Sequence, residues 1–261
     1  MSKVLGQKSK LESEKSARFL CLSTHLASIA TKDGVHYHPY FDPRLKVFSS
    51  LSPQQQQNAL SSLETYIGIC ELTQANGARL RDNKSLLWYA LKSMKLRFSS
   101  DLFDLISEED TIEIYDAENI QIFRNLQAMS LLSYSLEDLF CHTWMELFSR
   151  ENPEIVENIQ KTAIEMFTSN SNSARPMSHL GFQKVRESRS PLKYEYNLMV
   201  KYLAPLLDDN GHVVALMAIE DVQSVGKKLS REEEAERYAQ YQREIAANQI
   251  RKKRSPDLTI I

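Results

Sequence analysis

Near residue 110 the hydrophobic period of this chain switches from that of a helix to that of a strand. Upstream, Phe19, Leu22, Leu26 and Ile29 fall at intervals of three and four, and Leu60, Leu63, Ile67 and Cys70 repeat the pattern. Each set makes one apolar stripe on a helix. Downstream, "DTIEIYD" (residues 110–116) and "NIQIFRN" (119–125) alternate apolar and polar residues. Successive side chains of a strand point to opposite faces, so a period of two marks a half-buried strand. The short Asp116-Ala117-Glu118-Asn119 connection joins the two runs as a strand pair. A chain that keeps the two periods in separate stretches is neither a plain bundle nor a plain sandwich. It is an α+β chain with an all-helical N-terminal region.

The polar opening, residues 1–16, is expected to be disordered, and the helical region to span 17–107. Within it, Asp33-Gly34 marks a turn, and Pro39 and Pro43 bias the segment at 31–48 toward extended backbone. Ser52-Pro53-Gln54-Gln55 opens a helix with serine at N-cap, proline at N1 and glutamine at N3, and Asn76-Gly77 closes it. Further helices fit residues 83–96 and the short "SDLFDLI" at 100–106.

After the strand pair, helical spacing covers Leu126–Phe148 and Pro153–Phe167, and "TSNSNSARPMS" (168–178) is a loop by composition. Three strand-like runs follow, around "HLGFQKVRES", "KYEYNLMVKYLAPLL" and "HVVALMAIEDV". Asp208-Asp209-Asn210-Gly211 turns the last two into a hairpin, because Asn-Gly accepts positive φ at low cost. The order β-β-α-α-α-β-β-β defines a domain at 108–224. A C-terminal helix at 227–254 then carries a capping pair, Ser230 with Glu233. Acids crowd its first turn and the "RKKR" quartet its last, as the helix dipole favours. Ala235, Tyr238, Gln242, Ile245 and Gln249 form a poor coiled-coil seam. This helix is expected either to self-pair weakly or to lie across the sheet of its own domain.

Bulk composition narrows the function. The chain has 261 residues, enough for two domains, and a formal net charge of −2, which argues against a general polyanion binder. Cys21, Cys70 and Cys141 are too few and too scattered for a disulfide framework or a zinc site. They read as thiols of a reducing, cytoplasmic setting. No apolar run reaches the ~18 residues of a membrane span. His36 and His38 in "GVHYHP" have only Asp42 nearby as a further ligand, so they read as loop histidines. No nucleophile elbow, phosphate loop, dinucleotide fingerprint or zinc-protease motif occurs, and the chain is expected not to be an enzyme.

Four stretches, in order and with fitting gaps, resemble a PAS domain over residues 109–223. "IEIYDAENIQIFRN" looks like the opening strand pair, "LLSYSLEDL" is similar to the family's helix connection, "FCHTWMELF" to the segment after it, and "APLLDDNGHVVALMAIEDV" to the closing hairpin. Ser133 stands where the family usually has glycine. Ser135 is placed to cap the helix that begins at Leu136, with Glu137 and Asp138 in its first turn.

The resemblance implies a PAS-like five-stranded antiparallel sheet cupping short helices. It also implies a sensory or interaction role in signal transduction, relayed to the C-terminal output helix. Its cavity would be lined by Ile112, Ile114, Ile122, Leu126, Trp144, Ile159, Phe182, Tyr196, Leu198, Leu216 and Ala218. The cofactor stays unknown. The family's photoreactive flavin motif is absent around Cys141. The long helix offers no axial histidine for haem, with His142 and His179 only flanking it. A small-molecule ligand, a protein partner or a homodimer through the sheet and flanking helices is expected, and neither nucleic acid nor membrane. The alternative is a transcription regulator whose helical N-terminal region contacts DNA, tested through the Lys and Arg residues of the helix at 83–97.

Overall fold

The computed structural model of the chain describes residues 2–98, 100–169, 172–226 and 228–254. Residue 1 of the expected disordered opening, residues 170–171 of the expected loop and residue 227 of the expected C-terminal helix lie outside these. The helix signals upstream of residue 110 fold into α1 (Ser2–Lys32), α2 (Lys46–Ser50), α3 (Pro53–Ala75) and α4 (Asn83–Met94). The helix carrying Phe19, Leu22, Leu26 and Ile29 thus reaches back to Ser2, through the opening expected to be disordered. Ser52 caps α3 as read, its Oγ accepting from Gln55 N at 3.3 Å while Gln55 Oε1 accepts from Ser52 N at 3.0 Å.

The remainder builds an antiparallel sheet from β1 (Thr111–Asp116), β2 (Gln121–Arg124), β3 (Phe148–Arg150), β4 (Arg175–Pro176), β5 (Gln183–Glu187), β6 (Glu195–Leu207) and β7 (Val213–Val225). The order is β2-β1-β7-β6-β5-β3, with β4 on β6. The five expected strands form its body. Two short ones, β3 and β4, extend it. Between β2 and β5 run α5 (Leu126–Leu131), α6 (Leu136–Cys141), α7 (Trp144–Leu147) and α8 (Pro153–Ser169). Ser135 caps α6 in a capping box with Asp138. Positive φ outside glycine is confined to Leu45, Lys95, Asn119 and Lys193 among the described residues, so Ser133 fills its glycine-like place without left-handed backbone.

Each face of the sheet has its own cover. Ile112 lies opposite Ile219, and Ile114 opposite Met217. All four are fully buried in one core with Phe19, Phe48, Leu60 and Leu63 of the helical region. Helices α1–α4 therefore pack on this outer face, and the helical region and the sheet share a single hydrophobic interior. Polar contacts reinforce the junction. Tyr66 Oη donates to Arg124 O at 2.6 Å, and Glu137 accepts from the backbone N of Val47 and Phe48 at 2.9 and 3.0 Å. Buried Asn125 caps α5 while its amide reaches Asn83 and the Asp110 carbonyl.

The C-terminal helix, α9 (Arg231–Arg254), starts at the expected Ser230–Glu233 capping pair. Among the described residues its contacts are not across the sheet but to the Ser133 connection, to Tyr194 and to Phe41 of the N-terminal region. Tyr238 is buried, donates its hydroxyl to Ser133 O, and stacks on Phe41 with ring centroids 3.8 Å apart. Glu234 accepts from Tyr194 Oη at 2.8 Å.

Candidate functional site

In β1 the residues that alternate with Ile112 and Ile114 are Thr111, Glu113 and Tyr115, and these face inward, toward α5, α7 and α8. The inner face is completed by their register partners, Glu220 opposite Thr111, Ala218 opposite Glu113 and Leu216 opposite Tyr115. Between this face and α8 lies a cavity of about 290 Å³. Its floor is Val200, Leu203, Leu216 and Ala218. Its α8 wall is Ile159, Ala163 and Phe167, and Tyr115, Trp144, Arg150 and Glu220 close one end. The same four residues border a second compartment of about 40 Å³ reaching toward Thr111, Tyr196 and Leu198. The site is thus an apolar chamber with a charged end, the usual character of a small-molecule site.

The charged end is built from the polar stripe of the strands. Arg124 is the register partner of Glu113. Tyr115 donates its hydroxyl to Glu113 and accepts from Gln121 Nε2 at 3.3 Å. Arg150 lies over the Trp144 ring, 4.3 Å from its centroid, a cation–π contact. Tyr115 meets Trp144 edge-on at 6.1 Å, and Trp144 Nε1 donates to Asn119 at 3.3 Å. Arg150 Nε, Thr111 Oγ1 and both amide atoms of Gln183 are buried with no hydrogen-bond partner among the described residues. Burial pushes the Glu220 carboxyl up to about 8, with Glu113 adding to the effect and Arg150 opposing it. Burial likewise lowers the pKa of Arg150 and of Arg124.

Glu220 therefore binds its proton more tightly in the native state than in the unfolded chain, where an ordinary glutamate titrates near 4.5. Between those two values the native state holds more protons, so wild-type stability falls as pH rises from about 4.5 to about 8. Glu220→Gln removes this contribution. Its stability relative to wild type is expected to improve by a few kcal/mol between pH 5 and pH 8, at up to about 1.4 kcal/mol per pH unit. Glu137, also raised by burial, to about 7, falls in the same window but cancels in the difference. Paired urea titrations at the two pH values check it, and parallel pH profiles would refute it.

The structure sorts the eleven expected lining residues into three groups. Trp144, Ile159, Leu216 and Ala218 line the larger compartment, and Tyr196 and Leu198, with Trp144, the smaller. Ile112, Ile114, Ile122 and Leu126 do not line either compartment. They pack into the core shared with the N-terminal helices, because the apolar stripe of β1 faces outward. Phe182 is 47% exposed, just ahead of β5. Glu113, Tyr115 and Glu220 are absent from the expectation, since polar positions of an alternating strand ordinarily face water, and so is Arg150, whose three-residue strand shows no period. Cys141, His142 and His179 line neither compartment. No group of three or more metal-ligating residues occurs among the described residues, His36 and His38 included. No helix among the described residues is long and apolar enough to cross a membrane.

The β-strands enclose the helices in a single antiparallel sheet, with the first strand beside the last and α5–α8 inserted between β2 and β5. This half of the chain is PAS-like. No protein-family model matches the sequence, and no curated protein matches it. Among 38 matching chains of solved structures is the PAS domain of a protein from Colwellia psychrerythraea. It is 17% identical at TM-score 0.32, over 49% of this chain and 95% of that one. A sensory box sensor histidine kinase from Vibrio cholerae is 16% identical at TM-score 0.28, over 49% and 90%. A light-oxygen-voltage domain studied with a flavin analogue is 15% identical at TM-score 0.32, over 56% and 96%. The PAS-like description rests on the strand order of this chain.

Proposed function

We propose that the PAS-like domain is a non-enzymatic sensor that holds a small molecule between β1, β7 and α8 and relays its presence to α9. The supporting observation is the inner-face cavity itself, an apolar chamber ending in buried charged groups that the protein leaves partly unpartnered. A route outward is present. Tyr196, a wall of the smaller compartment, donates its hydroxyl to Glu187 at 3.1 Å. Glu187 also accepts from Ser133 N at 2.8 Å, and Ser133 O accepts from Tyr238 of α9. A ligand that prefers one arrangement of Tyr196 would thereby bias the seating of α9. Bias of this kind also suits a protein partner or a second copy that reads α9.

Native mass spectrometry of the purified chain, followed by hydrogen exchange on α9, tests the reading. Ala163→Trp fills the chamber from α8. It is expected to expel a retained small molecule and to change exchange at the start of α9, with little change around α3. A chamber that retains nothing, and whose filling leaves α9 exchange unaltered, overturns the proposal.

A further inference from the structure

We propose that the ligand is an amphipathic carboxylate, its apolar body against α8 and its carboxylate on Arg150. This rests on the sensor reading above and names the chemistry of the same cavity. The apolar part follows from the walls, where Ile159, Ala163 and Phe167 face Leu203, Leu216 and Ala218. The anionic part follows from the fate of each charge at the closed end. Glu113 accepts the Tyr115 hydroxyl, and Arg124 turns its guanidinium to the Leu139 carbonyl at 3.2 Å. Asp116, at the rim, spends one carboxylate oxygen on the backbone N of Glu118 and Ile120, at 3.0 and 2.8 Å. Arg150 and Glu220 remain.

Those two face the same cavity and feel each other's field, yet no ion pair joins them among the described residues. Arg150 offers its face to Trp144 and keeps a buried Nε without a partner. Arg150 is half-buried with its Nε sealed away from any partner among the described residues, and a carboxylate is the group whose two oxygens match a guanidinium edge. Glu220, held neutral at pH 7 by its raised pKa, adds no second negative charge and can donate its own hydroxyl to the incoming carboxylate.

Isothermal titration of the full chain with octanoate, 3-phenylpropanoate, octanamide, 1-octanol and octylamine at pH 7 tests this. The two carboxylates are expected to bind roughly tenfold or more tightly than the amide and the alcohol, the preference that a charge-assisted contact supplies. Arg150→Gln should erase that preference, and Ala163→Trp should weaken all five probes together. Octanol or octylamine binding wild type as tightly as octanoate overturns the carboxylate and leaves the sensor cavity standing. That comparison uses wild type alone, so it holds even where Arg150→Gln folds poorly. Binding of none of the five, with a non-anionic molecule retained in native mass spectra, likewise removes only the carboxylate. No binding and no retained molecule removes both.

Discussion

A fragment beginning at residue 108 is expected to be unfolded or aggregated, although it contains the whole PAS-like sheet. Its outer face would expose Ile112, Ile114, Met217 and Ile219, each fully buried in the intact chain against the N-terminal helices. Each such side chain contributes about 1.5–3 kcal/mol on burial, so the four together account for about 6–12 kcal/mol. That is as large as the whole stability of a typical domain, about 5–15 kcal/mol. An apolar strip of this kind along a sheet also invites association. Circular dichroism and size-exclusion chromatography of the fragment check the expectation. A monomeric fragment melting at the temperature of the full chain would show that the helical region is dispensable. The same shared core implies that the intact chain unfolds in one cooperative transition.

Glu187→Ala is expected to cost about 2–6 kcal/mol, from two buried backbone donors losing their acceptor at about 1–3 kcal/mol each. The Glu187 side chain is completely buried. It accepts from Ser133 N at 2.8 Å, Tyr196 Oη at 3.1 Å, Tyr194 N at 3.3 Å and the Ser133 hydroxyl. Alanine leaves the Ser133 and Tyr194 N–H groups facing a void, while the Tyr196 and Ser133 hydroxyls keep Leu131 O and Ser190 Oγ. Burial raises the pKa of Glu187 while these hydrogen bonds pull it down. The second consequence is local: Ser133 also receives the Tyr238 hydroxyl, so the start of α9 should exchange its amide hydrogens faster in the variant. Urea denaturation reads the first effect and hydrogen exchange the second. A loss below about 1 kcal/mol would mean that the cluster is solvated rather than sealed.

Local signals in the sequence carried over wherever their causes were local. The capping boxes at Ser52, Ser135 and Ser230 and the turn at Asp208–Gly211 depend on residues within four positions of one another. The assignment of sheet faces did not carry over. Alternation in "TIEIYD" separates two sets of side chains, but it cannot say which set meets water when both faces are covered. The apolar stripes of α1 and α3 needed a partner surface, and Ile112 and Ile114 supply it. That demand was the signal available for placing Glu113 and Tyr115 inside. Arg150 was hidden for another reason. Its strand, β3, has three residues and follows directly on a helical pattern, too short to show any period. Tyr238 stood out only as a poor seam residue, because Phe41 and Ser133 lie far from it along the chain.

The ring stack between Phe41 and Tyr238 ties the linker after α1 to the long last helix. Neither ring can lift away without baring the other to solvent. Whatever unseats α9 must therefore free the Phe41 linker too. A binding event between β1 and α8 would then be announced at two distant places at once.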